Sequence, residues 1–304
     1  ERTDLLLIIG ANPAVSNGSL MTAPDVAGRL KEIRARGGRV VLVDPRRTET
    51  AALADTHHFL RPGGDVFLLL ALLHVIFTEK LDRLGNVAAH ADGLETVRSL
   101  AARWAPERVQ EATGMSADAI RSLAREFARA TRAVAYGRIG VSTQEFGGLA
   151  CWLITLLNVV TGRLDEPGGA MFTKPAVELL RGGGAYGGSG RFGRWKSRVR
   201  GLPEFAGELP VAALAEEMDV PGPGQVRALV THAGNPVLST PNGARLERAI
   251  AGLDFYVAID FYVNETTRHA QVILPPTAAL ERDHYDLVFH VLAVRNTAKF
   301  SPAV

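Results

Sequence analysis

Two aspartates stand where short aliphatic runs stop: Asp44 after Val40–Val43, and Asp260 after a second such run. A carboxylate at the tip of a buried strand can accept hydrogen bonds from ribose hydroxyls or from the edge of a base. Each aspartate is preceded by a strand-like segment that breaks into a turn, Gly10-Ala11-Asn12-Pro13 in one case and Gly234-Asn235-Pro236 in the other. Glycine there permits close backbone approach, and the start of the helix beyond attracts phosphate. Arg46 lies two residues past Asp44. Asp65 follows an Arg61-Pro62-Gly63-Gly64 turn, where it can cap a helix or recognise a base. Gly137–Gln144, which includes Gly140, joins a glycine turn to a hydroxyl and the amide of Gln144, a pattern suited to a phosphate or a ring. All of this is chemistry for holding a nucleotide; the bland alternative for Asp44 is a loop cap.

The pattern gains weight because it returns. Residues 44–55 overlay residues 260–271 without a gap, matching Asp44 with Asp260, Glu49 with Glu265, Thr50 with Thr266 and Ala54 with Ala270. Both segments then run through apolar residues to a proline, Pro62 and Pro275. Gly234-Asn235-Pro236 reads as a shortened form of the first turn. The expectation is two related lobes, with Asp44 and Asp260 at equivalent strand ends facing a shared cleft.

Behind these residues stand the elements that must position them. Leu5–Ile9 is a strand buried on both faces, as in a parallel sheet. A helix with Pro24 in its first turn buries Val26, Leu30 and Ile33 and stops at Gly37-Gly38, before strand Val40–Val43. A short strand is expected at His58–Leu60, a helix capped by Ser116, a strand at Ala133–Tyr136, and a helix over Gly147–Thr161 that is apolar nearly all round and so buried. Cys151 on that helix reads as an inert core thiol. From Gly168 to Gly201 the chain is glycine-rich and then basic (Arg191, Arg194, Lys196, Arg198, Arg200), with no periodic apolar pattern. It suits a surface crossover or a basic loop laid over an anionic cofactor. The fold class is α/β, two related Rossmann-like lobes with mostly parallel sheets and flanking helices: 1–175, a crossover at 176–201, and 202–304. In the second lobe Leu246, Ile250 and Leu253 share one helix face.

At 304 residues, 47% hydrophobic and 22% charged, the chain can fill two cores. A net charge of +2, without a basic stripe interleaved with aromatics, gives no reason to expect a nucleic-acid partner. The two most apolar stretches are too short to span a bilayer. No Cys-x-x-Cys or histidine cluster offers a metal site. His57 and His58 are adjacent on a strand and point to opposite faces. Both ends look cut, so the chain is expected to be the interior of a longer protein. The expected compartment is the cytoplasm, any targeting signal lying outside this chain.

With these residues assembled, the chain resembles the middle of a molybdopterin-dependent oxidoreductase of the dimethyl sulfoxide reductase and formate dehydrogenase family. The matching stretches are LLLIIGANP, VVLVDPRRTETAALAD, RPGGDVFLLLALLH, WLITLLNVVTGRLDEPGG, THAGNPVLSTP and DFYVNETTRHAQVILPP. The resemblance implies molybdenum or tungsten held by two molybdopterin guanine dinucleotides. One would be bound by loops matching Gly10, Asn12, Asp44, Arg46, Asp65, Gly140 and Gln144, the other by those matching Gly234, Asn235, Asp260 and Asn264. It implies two-electron or oxygen-atom transfer on a small substrate such as formate or nitrate, electron-transfer subunits as partners, and an iron–sulfur cluster in an upstream part. It also implies that the second lobe is incomplete and that this segment alone is inactive. The alternative is a non-catalytic structural subunit of a respiratory complex that keeps the fold. The family's Arg-Gly-Gln-Asn-Asn run is absent; Arg181-Gly182-Gly183-Gly184 stands in its neighbourhood, so no residue is named catalytic and none as a metal ligand.

Overall fold

The computed structural model describes residues 2–18, 23–177, 192–293 and 295–301. The chain divides into two compact units, Glu1–Pro175 with Val288–Asn296, and Ala176–Leu287 with Thr297–Val304.

The first unit is built on β1 (Leu5–Ile9), α1 (Pro13–Ser16), α2 (Val26–Ala35), β2 (Arg39–Val43), β3 (Thr56–His58), α3 (Asp65–Thr78), α4 (Leu94–Ala101), α5 (Pro106–Thr113), α6 (Ala117–Arg129), β4 (Ala133–Gly137), α7 (Ile139–Ser142) and α8 (Gly147–Val160). Its four-stranded sheet runs β3-β2-β1-β4, every pair parallel. Every residue of β1 is buried, and alternate side chains go to opposite faces. Leu5, Leu7 and Ile9 pack with α3, α6 and α8, while Leu6 and Ile8 pack with Leu30 and Ile33 of α2. A central parallel strand covered on both faces needs such an unbroken aliphatic run. The edge strand β4 is met by α8. Asn158 Nδ2 donates to the Ala135 carbonyl and its Oδ1 accepts from the Ala135 amide, both at 2.9 Å.

The second unit contains β5 (Phe192–Lys196), β6 (Pro203–Phe205), α9 (Leu214–Asp219), β7 (Ala228–His232), α10 (Pro236–Ser239), α11 (Gly243–Ala251), β8 (Phe255–Ile259), β9 (Val272–Ile273), β10 (His284–Tyr285) and β11 (Ala298–Lys299). Its parallel sheet has three strands, β7-β8-β9. Tyr256, Ala258, Leu246 and Ile250 form its core, with Leu253 against it. Hairpins β5–β6 and β10–β11 are antiparallel.

Several sequence expectations need correction. Gly64, not Asp65, occupies the cap of α3, and Asp65 is the first helical residue. Pro24 lies before the cap of α2, which is Asp25. The third strand is Thr56–His58, two residues earlier than the periodicity suggested. Helix α8 is not buried all round: Leu149, Trp152 and Thr155 are exposed, and Cys151 with them. Its inward face, Ala150, Leu153, Leu157 and Val160, meets the core, while the outward face is also apolar, so polarity did not mark the surface. Finally, Phe192–Lys196 is a strand, closed by Pro203–Phe205. Arg191 and the glycine runs 182–184 and 187–188 lie outside the described residues, as does Arg181.

Candidate nucleotide-binding loops

At the C-terminal end of the first sheet, three loops converge. Gly10 leaves β1 with φ +55, and its carbonyl accepts the amide of Gly140, in the loop that follows β4. A Cβ at Gly10 would lie 2.9 Å from Val141, and one at Gly140 would lie 2.7 Å from the Gly10 carbonyl, so this backbone crossing needs both glycines. Gln144 is tied back by its side-chain amide, Nε2 donating to the Gly140 carbonyl at 2.9 Å, and its Oε1 lies 4.0 Å from where a Gly63 Cβ would sit. Asp44 is buried at the tip of β2; its Oδ1 accepts the Arg46 amide at 2.8 Å. Asp65, also buried, has its carboxyl pushed up by burial and further by the nearby Asp44 charge, its own amide working the other way. The seven residues expected at the first site are therefore contributed by the ends of neighbouring strands and by the start of α3.

Buried polar atoms in the first unit are left without partners among the described residues, among them Thr48 Oγ1 in the loop after Asp44, His57 Nδ1 and, on β4, the Tyr136 hydroxyl. His57 Nε2 donates to the Asp44 carbonyl at 3.0 Å, which places its unpaired nitrogen on the opposite edge of the ring. Buried polar groups without partners are uncommon in folded proteins and call for a ligand or a water. The buried carboxyls of Asp44 and Asp65 beside crossed glycine backbones suit a group that brings N–H and O–H donors, as guanine and ribose do. The first lobe therefore fits a nucleotide-bearing cofactor.

Asn12 and Asn235 hold the same position in a shared network. Asn12 Nδ2 donates to Glu49 Oε2 at 2.8 Å, Thr50 Oγ1 donates to Asn12 Oδ1 at 2.7 Å, and the Ala14 amide donates to Thr50 Oγ1 at 3.1 Å. In the second unit Asn235 Nδ2 donates to Glu265 Oε2 at 2.8 Å, Thr266 Oγ1 to Asn235 Oδ1 at 2.7 Å, and the Val237 amide to Thr266 Oγ1 at 3.1 Å. The strand register repeats as well, Ile9 opposite Val43 and His232 opposite Ile259. At the far end of the overlay, Asp55 accepts the Val40 amide and Gln271 the Tyr256 amide. The turn is not shortened in the second unit: Ala233, with φ +51, stands where Gly10 does, and Gly234 corresponds to Ala11. Glu49 and Glu265 had been seen only as matching letters; the overlay was the available signal for their role.

Asp260 closes β8 as Asp44 closes β2, but it is half-buried, and its Oδ1 accepts the Phe261 and Tyr262 amides. Asn264 turns its Oδ1 onto the amides of Thr266 and Thr267, an arrangement that caps the following 3-10 turn. The basic run is engaged within its own unit. Arg194 pairs with Glu204, Arg198 with Glu217 and Arg200 with Glu216, all three acids being buried. These arginines pin the β5–β6 hairpin and α9, so a free basic loop is not what Arg194, Arg198 and Arg200 form. No helix is long and apolar enough to cross a membrane, and no group of three or more metal-ligating side chains occurs, among the described residues.

The chain is 29% identical over 303 residues to formate dehydrogenase H of Escherichia coli (strain K12), covering 91% of this chain and 40% of that protein. It is 25% identical over 297 residues to the assimilatory nitrate reductase catalytic subunit of Bacillus subtilis (strain 168), covering 92% of this chain and 40% of that one. The chain thus spans about 40% of the length of these relatives. Among solved structures, acetylene hydratase from Pelobacter acetylenicus superposes with a TM-score of 0.75 at 22% identity, over 95% of this chain and 43% of that one, which establishes a common fold. The family model for molybdopterin oxidoreductases matches residues 1–289, and the chain belongs to that family.

Proposed function

We propose that this chain is the central, cofactor-holding portion of a molybdenum or tungsten oxidoreductase, each lobe holding one molybdopterin guanine dinucleotide. The full-length protein would carry out two-electron or oxygen-atom transfer on a small substrate such as formate or nitrate, with electron-transfer subunits as partners. The observation that carries this reading is the duplicated strand–loop–strand unit, with an aspartate at the tip of the second strand in both copies. When bound, the metal–pterin group supplies the redox chemistry. The chain's own residues bind and orient it. Asp44 and Asp65 in the first lobe, and Asp260 in the second, accept hydrogen bonds from guanine or ribose. The Gly10–Gly140 crossing lets the dinucleotide lie against backbone, where a side chain would exclude it. Arg46 is exposed beside Asp44 and available to a phosphate. Gly234 and the Nδ2 of Asn264, which has no partner among the described residues, serve the second dinucleotide. No residue of this chain is assigned a proton transfer or a metal bond, and this segment by itself is expected to be inactive.

The test places Asp44→Ala and Asp260→Ala in the full-length protein and reads bound guanine nucleotide beside thermal stability. A hydrogen bond to a charged acceptor is worth about 1.5–3 kcal/mol, so each variant should weaken binding roughly 10- to 150-fold. A purely structural aspartate would instead lower the melting temperature and leave nucleotide affinity intact.

A further inference from the structure

We infer that Glu49 and Glu265 are positioning residues, one per lobe, each holding the turn after the first strand against the aspartate-bearing loop through an asparagine carboxamide. The inference rests on the cofactor reading above but concerns residues that reading does not use.

Three observations carry it. First, the same hydrogen bonds occur twice, Asn12 to Glu49 and Thr50, and Asn235 to Glu265 and Thr266, with matching lengths. The flanking sequences differ at most positions: Arg46-Arg47-Thr48 in one copy is Tyr262-Val263-Asn264 in the other. A contact that persists through such change is kept for what it does locally. Second, the members of each network differ in burial. Thr50 and Thr266 are fully buried and serve the fold directly. The Glu49 side chain is 61% exposed, and a hydrogen bond made in water adds little to stability. Third, the carboxylate removes an ambiguity. In the second lobe Asn235 is otherwise pinned by a threonine hydroxyl, which can donate or accept, and would be free to flip; in the first the Thr50 amide already donates to Asn12 Oδ1 at 3.3 Å, and the carboxylate reinforces that orientation. A carboxylate only accepts, so it selects the orientation with Nδ2 toward the glutamate and Oδ1 toward the threonine. The second Nδ2 hydrogen of each asparagine is then left without a protein partner among the described residues.

Both carboxyls are held below their usual range. For Glu49 the causes are its own amide and then the Asn12 amide, with Arg46 adding; for Glu265 they are Asn235 and then its own amide. The clasp therefore stays anionic at neutral pH. In the first lobe it reaches further, because Glu49 Oε2 also lies 3.5 Å from Arg46. One carboxylate thus joins Asn12 to the loop that carries Asp44 and Arg46. In the second lobe Tyr262 stands in place of the arginine, so Glu265 holds its asparagine alone. Groups that hold binding residues in place typically contribute at least about tenfold to retention of the bound group.

The experiment uses the full-length protein carrying its cofactor, with Glu49→Ala, Glu49→Gln, Glu265→Ala and Glu265→Gln. Guanine nucleotide is counted per polypeptide, its release is timed at fixed temperature, and the melting temperature of cofactor-free protein is measured beside it. Glu49→Ala and Glu265→Ala should each release nucleotide at least about tenfold faster, Glu49→Ala the more strongly. Both Gln variants keep an acceptor oxygen but add a donor and lose the charge, so they should release nucleotide at rates between those of the parent and the Ala variants, and the cofactor-free melting temperature should move by less than about 2 °C. If the Ala variants retain nucleotide while Asp44→Ala and Asp260→Ala lose it, this inference fails and the cofactor reading stands. Loss that tracks a lowered cofactor-free melting temperature makes the glutamates structural and also overturns it. If the aspartate variants retain nucleotide too, the reading of the site itself fails.

Discussion

Strands β1 and β7 have the same length, the same parallel register with the strand that follows, and the same turn at their ends, yet they sit in different environments. Every residue of β1 is buried, between β2 and β4 and under helices on both faces. Strand β7 has β8 as its one neighbour among the described residues, and its burial alternates, leaving Val230 66% exposed. The binding loops are nevertheless superposable in their hydrogen bonds. Loop geometry in this duplicated unit is set by the short-range clasp and the strand register. It does not depend on how well the strand behind it is covered.

The largest effect that tests this contrast is at Leu7 and Val230, which occupy the same position in the two strands. Leu7→Ala removes a fully buried side chain and should cost about 2–5 kcal/mol. Val230→Ala should stay within about 0.5 kcal/mol, as exposed substitutions do. Hydrogen exchange of the strand amides reads each unit separately. Comparable losses at both positions would mean that β7 is as covered as β1.

A smaller effect is expected at Gly10 and Ala233. Both have positive φ, which costs a residue bearing a Cβ about 1–2 kcal/mol. Gly10→Ala adds a collision with Val141 and Gly140, for a total of roughly 2–4 kcal/mol. Ala233→Gly relieves strain but loosens the unfolded chain, so it should change stability by about 1 kcal/mol or less. Denaturant midpoints decide the matter, and equal penalties at the two sites would dissolve the distinction.

The smallest effect is an acid sensitivity of hairpin β5–β6. Hydrogen bonds from Arg194 hold the Glu204 carboxyl down to about 2. A carboxyl depressed on folding stabilises above its unfolded value, near 4.3, and loses that contribution as pH falls toward 2. Hairpin β5–β6 should therefore loosen between about pH 4.3 and 2, as read by its amide protection. Glu204→Gln should flatten the response; an unchanged acid profile in that variant would remove Glu204 as its source.

Much of this was legible beforehand because it is local. Leu5–Ile9, Val40–Val43 and the Ser116 cap announce themselves by run length and capping chemistry, and the match of 44–55 with 260–271 required only letters. What escaped depends on partners distant in sequence. The arginines of the basic run looked free because Glu204, Glu216 and Glu217 lie beyond them in the chain. Strand Phe192–Lys196 alternates too weakly to be recognised without Pro203–Phe205 beside it. Helix α8 was misjudged for a different reason: apolar side chains on both faces leave no periodic clue as to which one faces outward. At the sites, the aspartates and glycines were found by type, whereas the clasp through Glu49 and Glu265 emerged only from contacts.

Asn158 has a consequence for solubility. An edge strand displays unsatisfied amides and carbonyls, and a second molecule can add its own strand there. By donating to and accepting from the one residue, Ala135, the carboxamide imitates a neighbouring strand and occupies that stretch of the edge. The amide does both at once through separate atoms: aspartate has no donor, and leucine has neither donor nor acceptor. A single helical residue thereby acts as a guard against edge-to-edge aggregation.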